Sequence, residues 1–480
     1  MKSLVATLIT PFAVCLPQGR IGLRQAQPER VGRLGRARAA GLAALLLLVA
    51  APFAHAAPVD APELAAPGPH AVGLRRVSVD VGNVPDLDAI VAGRADAAPQ
   101  ARQLEALLWY PATVPANKST RVLERDVPNH AWRGWSAATL RMGVPSVALP
   151  EAPLATAPSG RWPVVVISHG LLNWAELMSD LAEHLASRGY VVMGLQHHDE
   201  RHADPLRAAL AFRPLDQGAA LRAIEQINAQ ASDPLAGKLQ ATRVALIGYS
   251  MGGYGALVAA GARVADDGMA YRYVPPQAMA RHAAALSSAD AALRDRVAAV
   301  VAFAPWGAQP AFGALKPAGV KAIKVPTLLV AGDQDDISGY ADGTRAVWEA
   351  MSTAPRWLLT YENARHNIVQ NAPPTGLPAG FRSWEALEEP VWRRDRLLDI
   401  NRHFITAFLD RQLRGDAAAE KWLNLATPRA NDGAWPVPFG TPASGQFAGI
   451  AQGPITHWTG FQRRWAVGLR LERRDADAVK

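Results

Sequence analysis

Residues 244–260 read VALIGYSMGGYGALVAA, with one serine, Ser250, held between Gly248 and Gly252. A serine hydroxyl is a weak nucleophile near neutral pH. It needs a base beside it, a group that orients the base, and donors for the oxyanion that forms. Downstream of Ser250 lie an acidic loop, Asp333-Gln334-Asp335-Asp336, and a histidine loop, Asn363-Ala364-Arg365-His366-Asn367. Serine, carboxylate and imidazole are the three groups that nucleophilic acyl transfer requires. A sharp bend between a strand and a helix would lift Ser250 clear of the sheet. Positions two before and two after the serine then come so close that only small residues fit, and Gly248 and Gly252 meet that need. The five-residue pattern alone is weak. Its place between an apolar strand and a small-residue helix makes it specific.

Positioning these groups is the task of the surrounding pattern. VVVIS (164–168) is a β-branched run of the kind buried on both faces of a sheet. YVVMGL (190–195), VALIG (244–248), VAAVVAFAP (297–305), VPTLLVAG (325–332) and RWLLTYE (356–362) are further strands. LRRVSVDV (74–81) alternates at period two, and LEALLWYP (104–111) is a strand ended by Pro111. Helical spacing marks 175–189, 215–231, 251–262, 344–352 and 395–415. Strand and helix in alternation predict an α/β fold, a mostly parallel sheet wound on both faces. Within the domain, 70–415, residues 112–162 read as a Pro-rich surface excursion and 264–296 as a candidate cap. Residues 57–69 read as a flexible lead-in, and 416–480 as an extension packed on the domain.

The chain has 480 residues, 49% hydrophobic and 19% charged, a globular balance. Arg33, Arg36 and Arg38 precede an apolar run at 41–51, and Ala54-His55-Ala56 follows it. Basic flank, short apolar stretch and small-residue site predict a signal peptide over residues 1–56. The run is too short to span a bilayer, which takes about 20 residues. Without that leader, 43 basic residues face 41 acidic ones, so the formal +8 falls to +2. That gives no case for nucleic acid or an anionic membrane as partner. Cys15, the single cysteine, leaves with the leader, so the mature chain forms no intrachain disulfide.

His197-His198-Asp199-Glu200, with His202, invites a metal reading. Consecutive residues rarely converge on one ion and no second ligand cluster is evident, so a polar loop at a strand end is expected and no metal. His403 lies in a helix and His282 in the candidate cap, which leaves His366 as the base.

LLWYP (107–111), VVVISHGL (164–171), LAEHLASRGYVV (181–192), HHDE (197–200) and IGYSMGGYGAL (247–257) together resemble the α/β-hydrolase superfamily. Within it they are similar to secreted proteins described as dienelactone hydrolases and to platelet-activating-factor acetylhydrolases, over about residues 70 to 415. The resemblance implies a serine carboxylic-ester hydrolase with no cofactor and a small-molecule or lipid ester as substrate. The chain order serine, acid, histidine fits this fold. Asp335 is the implied acid because it stands three residues past the strand-terminal Gly332; Asp333 and Asp336 stay open as alternatives. Backbone N–H groups of Leu171 and Met251 are the implied oxyanion donors, with His169 holding the loop. Dienelactone hydrolases use a cysteine where this chain has Ser250. Other outcomes are a peptidase or amidase of the same fold, or a non-catalytic binding protein. The peptidase relatives carry a large N-terminal propeller, for which some hundred residues ahead of the first strands are too few. If the leader assignment is right, N-terminal sequencing of the exported protein reads from just after Ala56. A mature chain that starts well before Ala54 contradicts it.

Overall fold

The structure is a computed structural model and describes residues 58–113, 121–130, 133–284, 287–434 and 454–477. The leader, its apolar run at 41–51 and Cys15 lie outside the described residues. Twelve strands are described: β1 (Ala71–Val84), β2 (Gln100–Ala112), β3 (Arg121–Pro128), β4 (Thr139–Ser146), β5 (Leu149–Pro150), β6 (Trp162–Ser168), β7 (Val191–Gln196), β8 (Leu239–Tyr249), β9 (Val297–Phe303), β10 (Thr327–Gly332), β11 (Arg356–Tyr361) and β12 (Leu469–Arg474). Among the described residues, ten of them form one sheet in the order β12-β11-β10-β9-β8-β6-β7-β2-β1-β5. The run from β7 to β11 is parallel, and antiparallel β2 and β12 flank it. This is the α/β architecture that the alternating pattern predicts.

The β-branched runs explain the layering. Along β6, Val164 and Val166 face one hydrophobic layer while Val165 and Ile167 face the other. β8 repeats this with Leu246 on one side and Ala245 and Ile247 on the other. Each Val, Leu or Ile side chain among these, fully removed from water, contributes about 1.5–3 kcal/mol. One layer is closed by the helices Pro205–Ala229 and Met251–Ala259, the other by Ser179–Ser187 and Arg394–Leu413. The chain leaves β6 for β7 on one side and returns to β8 on the other. Their carboxyl ends therefore splay at a switch point, where parallel sheets place ligands.

Four local expectations change. The helix expected from 215 begins ten residues earlier, at Pro205, with Pro214 inside it. Proline at 214 has no N–H for the Leu210 carbonyl. The buried Tyr254 hydroxyl donates to that carbonyl instead, at 3.0 Å, so the helix continues through the proline. The excursion at 112–162 is not irregular throughout: β3 and β4 pair as an antiparallel hairpin whose Met142 and Val144 pack on Trp174, Leu177 and Leu387. The lead-in is not flexible over its described part. Residues 58–69 bury Leu64, whose N–H donates to His403 Nδ1 at 3.1 Å. The segment 264–296 forms short helices that pack against Pro205–Ala229, and His282 donates to the Ala211 carbonyl at 2.7 Å. Among its described residues, several line a separate cleft and none lines the Ser250 cleft.

The tail closes the sheet edge. β12 pairs with β11, and Trp458 and Phe461 bury against Phe404 and His403 of the helix Arg394–Leu413. Among the described residues no helix is long and apolar enough to cross a membrane. Tyr254→Phe strands the Leu210 carbonyl in the core and is expected to destabilise the fold by about 1–3 kcal/mol. Urea unfolding checks this; an unchanged midpoint would contradict the role given to the hydroxyl.

Candidate active site

β8 ends at Tyr249 and the helix Met251–Ala259 begins two residues later, with Ser250 alone between them at φ 54° and ψ −116°. Non-glycine residues rarely adopt positive φ, and its retention here requires a surrounding frame. That frame is backbone. The Ser250 N–H donates to Phe303 O at 2.9 Å, and the Ser250 carbonyl accepts from Tyr254 N and Trp306 N. A Cβ at Gly248 would stand 2.1 Å from the Gly252 carbonyl oxygen, and one at Gly252 would stand 2.0 Å from that of Ser168. The two glycines are thus fixed by close approach, as the pattern predicts. The first N–H groups of the following helix, Met251 among them, have no acceptor within the helix and carry its positive end.

The acid and histidine loops are laced to each other. Gln334 N donates to Ala364 O at 2.9 Å, and Asn363 N donates to Asp333 Oδ1 at 2.7 Å. Asp333 therefore holds the loops together, while Asp336 pairs with Arg365 on the surface. Asp335 is the acid that meets the histidine: His366 Nδ1 donates to both of its carboxylate oxygens at 3.0 Å. Ile337 N and Ser338 N each donate to Asp335 Oδ1 at 2.9 Å. Burial pushes the Asp335 carboxyl up, but His366 and the two backbone donors outweigh it and hold it below the usual carboxylate range. With its Nδ1 hydrogen given to a carboxylate, neutral His366 keeps Nε2 as an acceptor. Its ring stands 5.1 Å from that of Tyr249.

Ser250, His366, Gly170 and Leu171 line one cleft of about 730 Å3. Its far wall is a segment the sequence reading missed. Residues 381–390 contribute Phe381 and Trp384, which are 70% and 46% exposed and give the cleft an apolar rim. Asn367 Nδ2 donates to the carbonyls of Glu385 and Glu388, tying this wall to the histidine loop. The hairpin packs on this wall through Met142, Val144 and Leu387, and Gly143 exchanges backbone hydrogen bonds with Thr375 just ahead of it. A Phe-x-x-Trp pair after a Pro/Gly-rich stretch was the available sign, but nothing local says that it faces Ser250.

The HHDE loop is a buried polar brace. His197 Nδ1 donates to Asp216 Oδ2 at 2.7 Å, and the Ser168 hydroxyl donates to His197 Nε2 at 2.8 Å. Arg102 grips both oxygens of Asp216. Serine, imidazole and carboxylate line up here as a nucleophilic site would, yet all three are sealed from solvent. Burial and the Arg213 and Arg102 charges hold His197 well below the usual imidazole range, so it is neutral. Asp199 pairs with Arg213, His198 with Glu200, and His202 with Asp88. Among the described residues no three His, Cys, Asp or Glu side chains are grouped to hold a metal ion. His169 Nδ1 donates to its neighbour's Gly170 carbonyl at 2.7 Å, a loop-holding contact.

Residues 152–270 match the family model described as PETase: PET hydrolase-like. The match spans β6, the Ser168-Leu171 turn and the Ser250 elbow, and stops before Asp335 and His366. No curated protein is significantly similar to the chain. The sheet order and the backbone of the elbow, with the match over β6 and the elbow, give the chain an α/β-hydrolase fold.

Proposed function

We propose that the protein is a serine carboxylic-ester hydrolase in which Ser250 is the nucleophile, His366 the base and Asp335 the group that orients it. One observation carries this reading. A serine held at positive φ on a strand-to-helix elbow shares a cleft with a histidine whose Nδ1 is engaged by a buried aspartate. The match to a PET hydrolase-like family supports ester over amide as the bond cleaved.

In this reading Ser250 Oγ attacks the ester carbonyl carbon as its proton passes to His366 Nε2. The N–H groups of Leu171 and Met251 receive the oxyanion. As the tetrahedral intermediate collapses, the carbon–oxygen bond to the alcohol breaks, and the alcohol leaves with the proton from His366. Water then attacks the acyl-enzyme, again giving its proton to His366, and Ser250 is regenerated as the acid departs. Asp335 stays ionised and stabilises the imidazolium. The apolar rim at Phe381 and Trp384 suits an apolar acyl or alcohol group. Export through the residue 1–56 leader is part of the same proposal and would place the enzyme in the periplasm or outside the cell.

A fluorophosphonate probe tests the assignment. The wild type is expected to be labelled and Ser250→Ala to be silent, whereas equal labelling of both would remove the assignment. Asp335→Asn leaves the cleft intact but takes away the charge that fixes the His366 tautomer. It is expected to lower kcat on a p-nitrophenyl ester by about 10³- to 10⁴-fold; a loss under tenfold would pass the orienting role to another group. On a p-nitrophenyl ladder, kcat/KM is expected to rise from acetate to butyrate, and a fall would count against an apolar subsite.

A further inference from the structure

The buried guanidinium of Arg213 reaches the turn after β6 from behind. It projects from the helix Pro205–Ala229 and is fully buried. Its Nη1 donates to His169 O at 2.5 Å and its Nη2 to Gly170 O at 3.0 Å. Nε and Nη2 also grip the two oxygens of Asp199, at 3.2 and 2.5 Å. Asp199 in turn accepts from the N–H of Leu172, at 3.2 Å. Leu172 has φ 57°, so the chain bends sharply just past Leu171.

These contacts bracket Leu171. The peptide before it is held by its carbonyl, Gly170 O, which takes Arg213 on one lone pair and His169 Nδ1 on the other. The peptide after it is held by its N–H, that of Leu172, on Asp199. No peptide bond among the described residues is cis. In a trans peptide the N–H lies opposite the C=O. Drawing the Gly170 carbonyl back toward Arg213 therefore turns the Leu171 N–H the other way, to the side where Gly170, Leu171 and Ser250 line the cleft.

We propose that Arg213, locked by Asp199, is the positioning residue of the oxyanion turn: it fixes the Gly170–Leu171 peptide so that the Leu171 N–H meets the charge developing on the substrate carbonyl. This rests on Ser250 being the nucleophile. The guanidinium makes four bonds at once, to two carbonyls and to both oxygens of a carboxylate, one more than the three donors of an ammonium. A lysine ammonium carries the charge but not the geometry. Arg213 touches neither substrate nor Ser250, so its loss acts through the placement of one donor. The transition state should lose that hydrogen bond while ground-state binding in the cleft is kept.

The test measures kcat and KM of the wild type, Arg213→Lys, Asp199→Asn and Ser250→Ala on p-nitrophenyl acetate, with the Ki of a trifluoromethyl ketone. Crystal structures of the wild type and the lysine variant accompany it. Arg213→Lys is expected to lose about 10²-fold in kcat, the size of one oxyanion donor, with KM within about twofold. The ketone forms a hemiketal oxyanion on Ser250, so its Ki should rise by a similar factor, and the Gly170–Leu171 peptide should be rotated. Asp199→Asn is expected to show the same pattern at smaller size, and it decides the matter if the lysine variant does not fold. A folded variant with kcat within threefold of the wild type overturns the proposal, as does a kcat loss with the peptide plane unmoved. If the wild type is no faster than Ser250→Ala, the esterase reading fails. The peptide orientation in the lysine variant then still shows whether Arg213 positions the turn.

Discussion

A side chain cannot be placed where the elbow helix meets the end of β6. Gly252 approaches the Ser168 carbonyl so closely that even one methyl group would overlap it. This contact brings the last residues of β6 and β8 together at the point where the sheet reverses its strand order. It sets the Leu171 turn beside the first N–H groups of the elbow helix. It also compels the tight bend at Ser250, because the chain must leave β8 and enter the helix without a loop. The strained backbone of one serine is thus the outcome of packing over the whole β6–β8 junction, and the junction's two apolar layers supply the stability that holds it.

Around that junction the polar groups divide into two sets with different surroundings. On the cleft side Ser250 and His366 line the cleft, with the Asp335 carboxylate buried behind His366. Behind it, Arg213, Asp199, Asp216, Ser168, His169 and His197 are closed in, with Arg102 half-buried at their edge, two cations facing two carboxylates and both imidazoles held neutral. Buried charges are tolerated when paired and saturated with hydrogen bonds. Here they also spend their donors on main-chain carbonyls of the turn. The second set makes a rigid back wall for the first.

Much of the cleft-side geometry was legible in the sequence because it follows from short-range rules. Gly-x-Ser-x-Gly between an apolar strand and a small-residue helix dictates its own bend, and Asp335 and His366 follow short apolar strands of the kind buried in a parallel sheet. Among the three acids the resemblance pointed to Asp335, but Asp333 and Asp336 stayed open, since all three sit on one turn and only the partner loop distinguishes their contacts. The wall at 381–390 and the hairpin were missed for a related reason: their apolar residues meet across long sequence separations, as Met142 and Leu387 do. Pro214 misled the helix boundary because the group that replaces its missing N–H, Tyr254, lies 40 residues away. Arg213 drew no attention, since it lies just ahead of the helix expected from 215, beside that proline. Its role depends on the position of two carbonyls that no local pattern announces.

The most direct measurement is a crystal structure of the enzyme after reaction with a small fluorophosphonate, whose tetrahedral phosphorus carries an oxygen in place of the oxyanion. The account predicts phosphorus bonded to Ser250 Oγ, its oxygen about 2.7–3.1 Å from both Leu171 N and Met251 N, and His366 Nε2 turned toward the leaving-group side. An adduct on another residue, or a phosphoryl oxygen directed away from those two N–H groups, would contradict it.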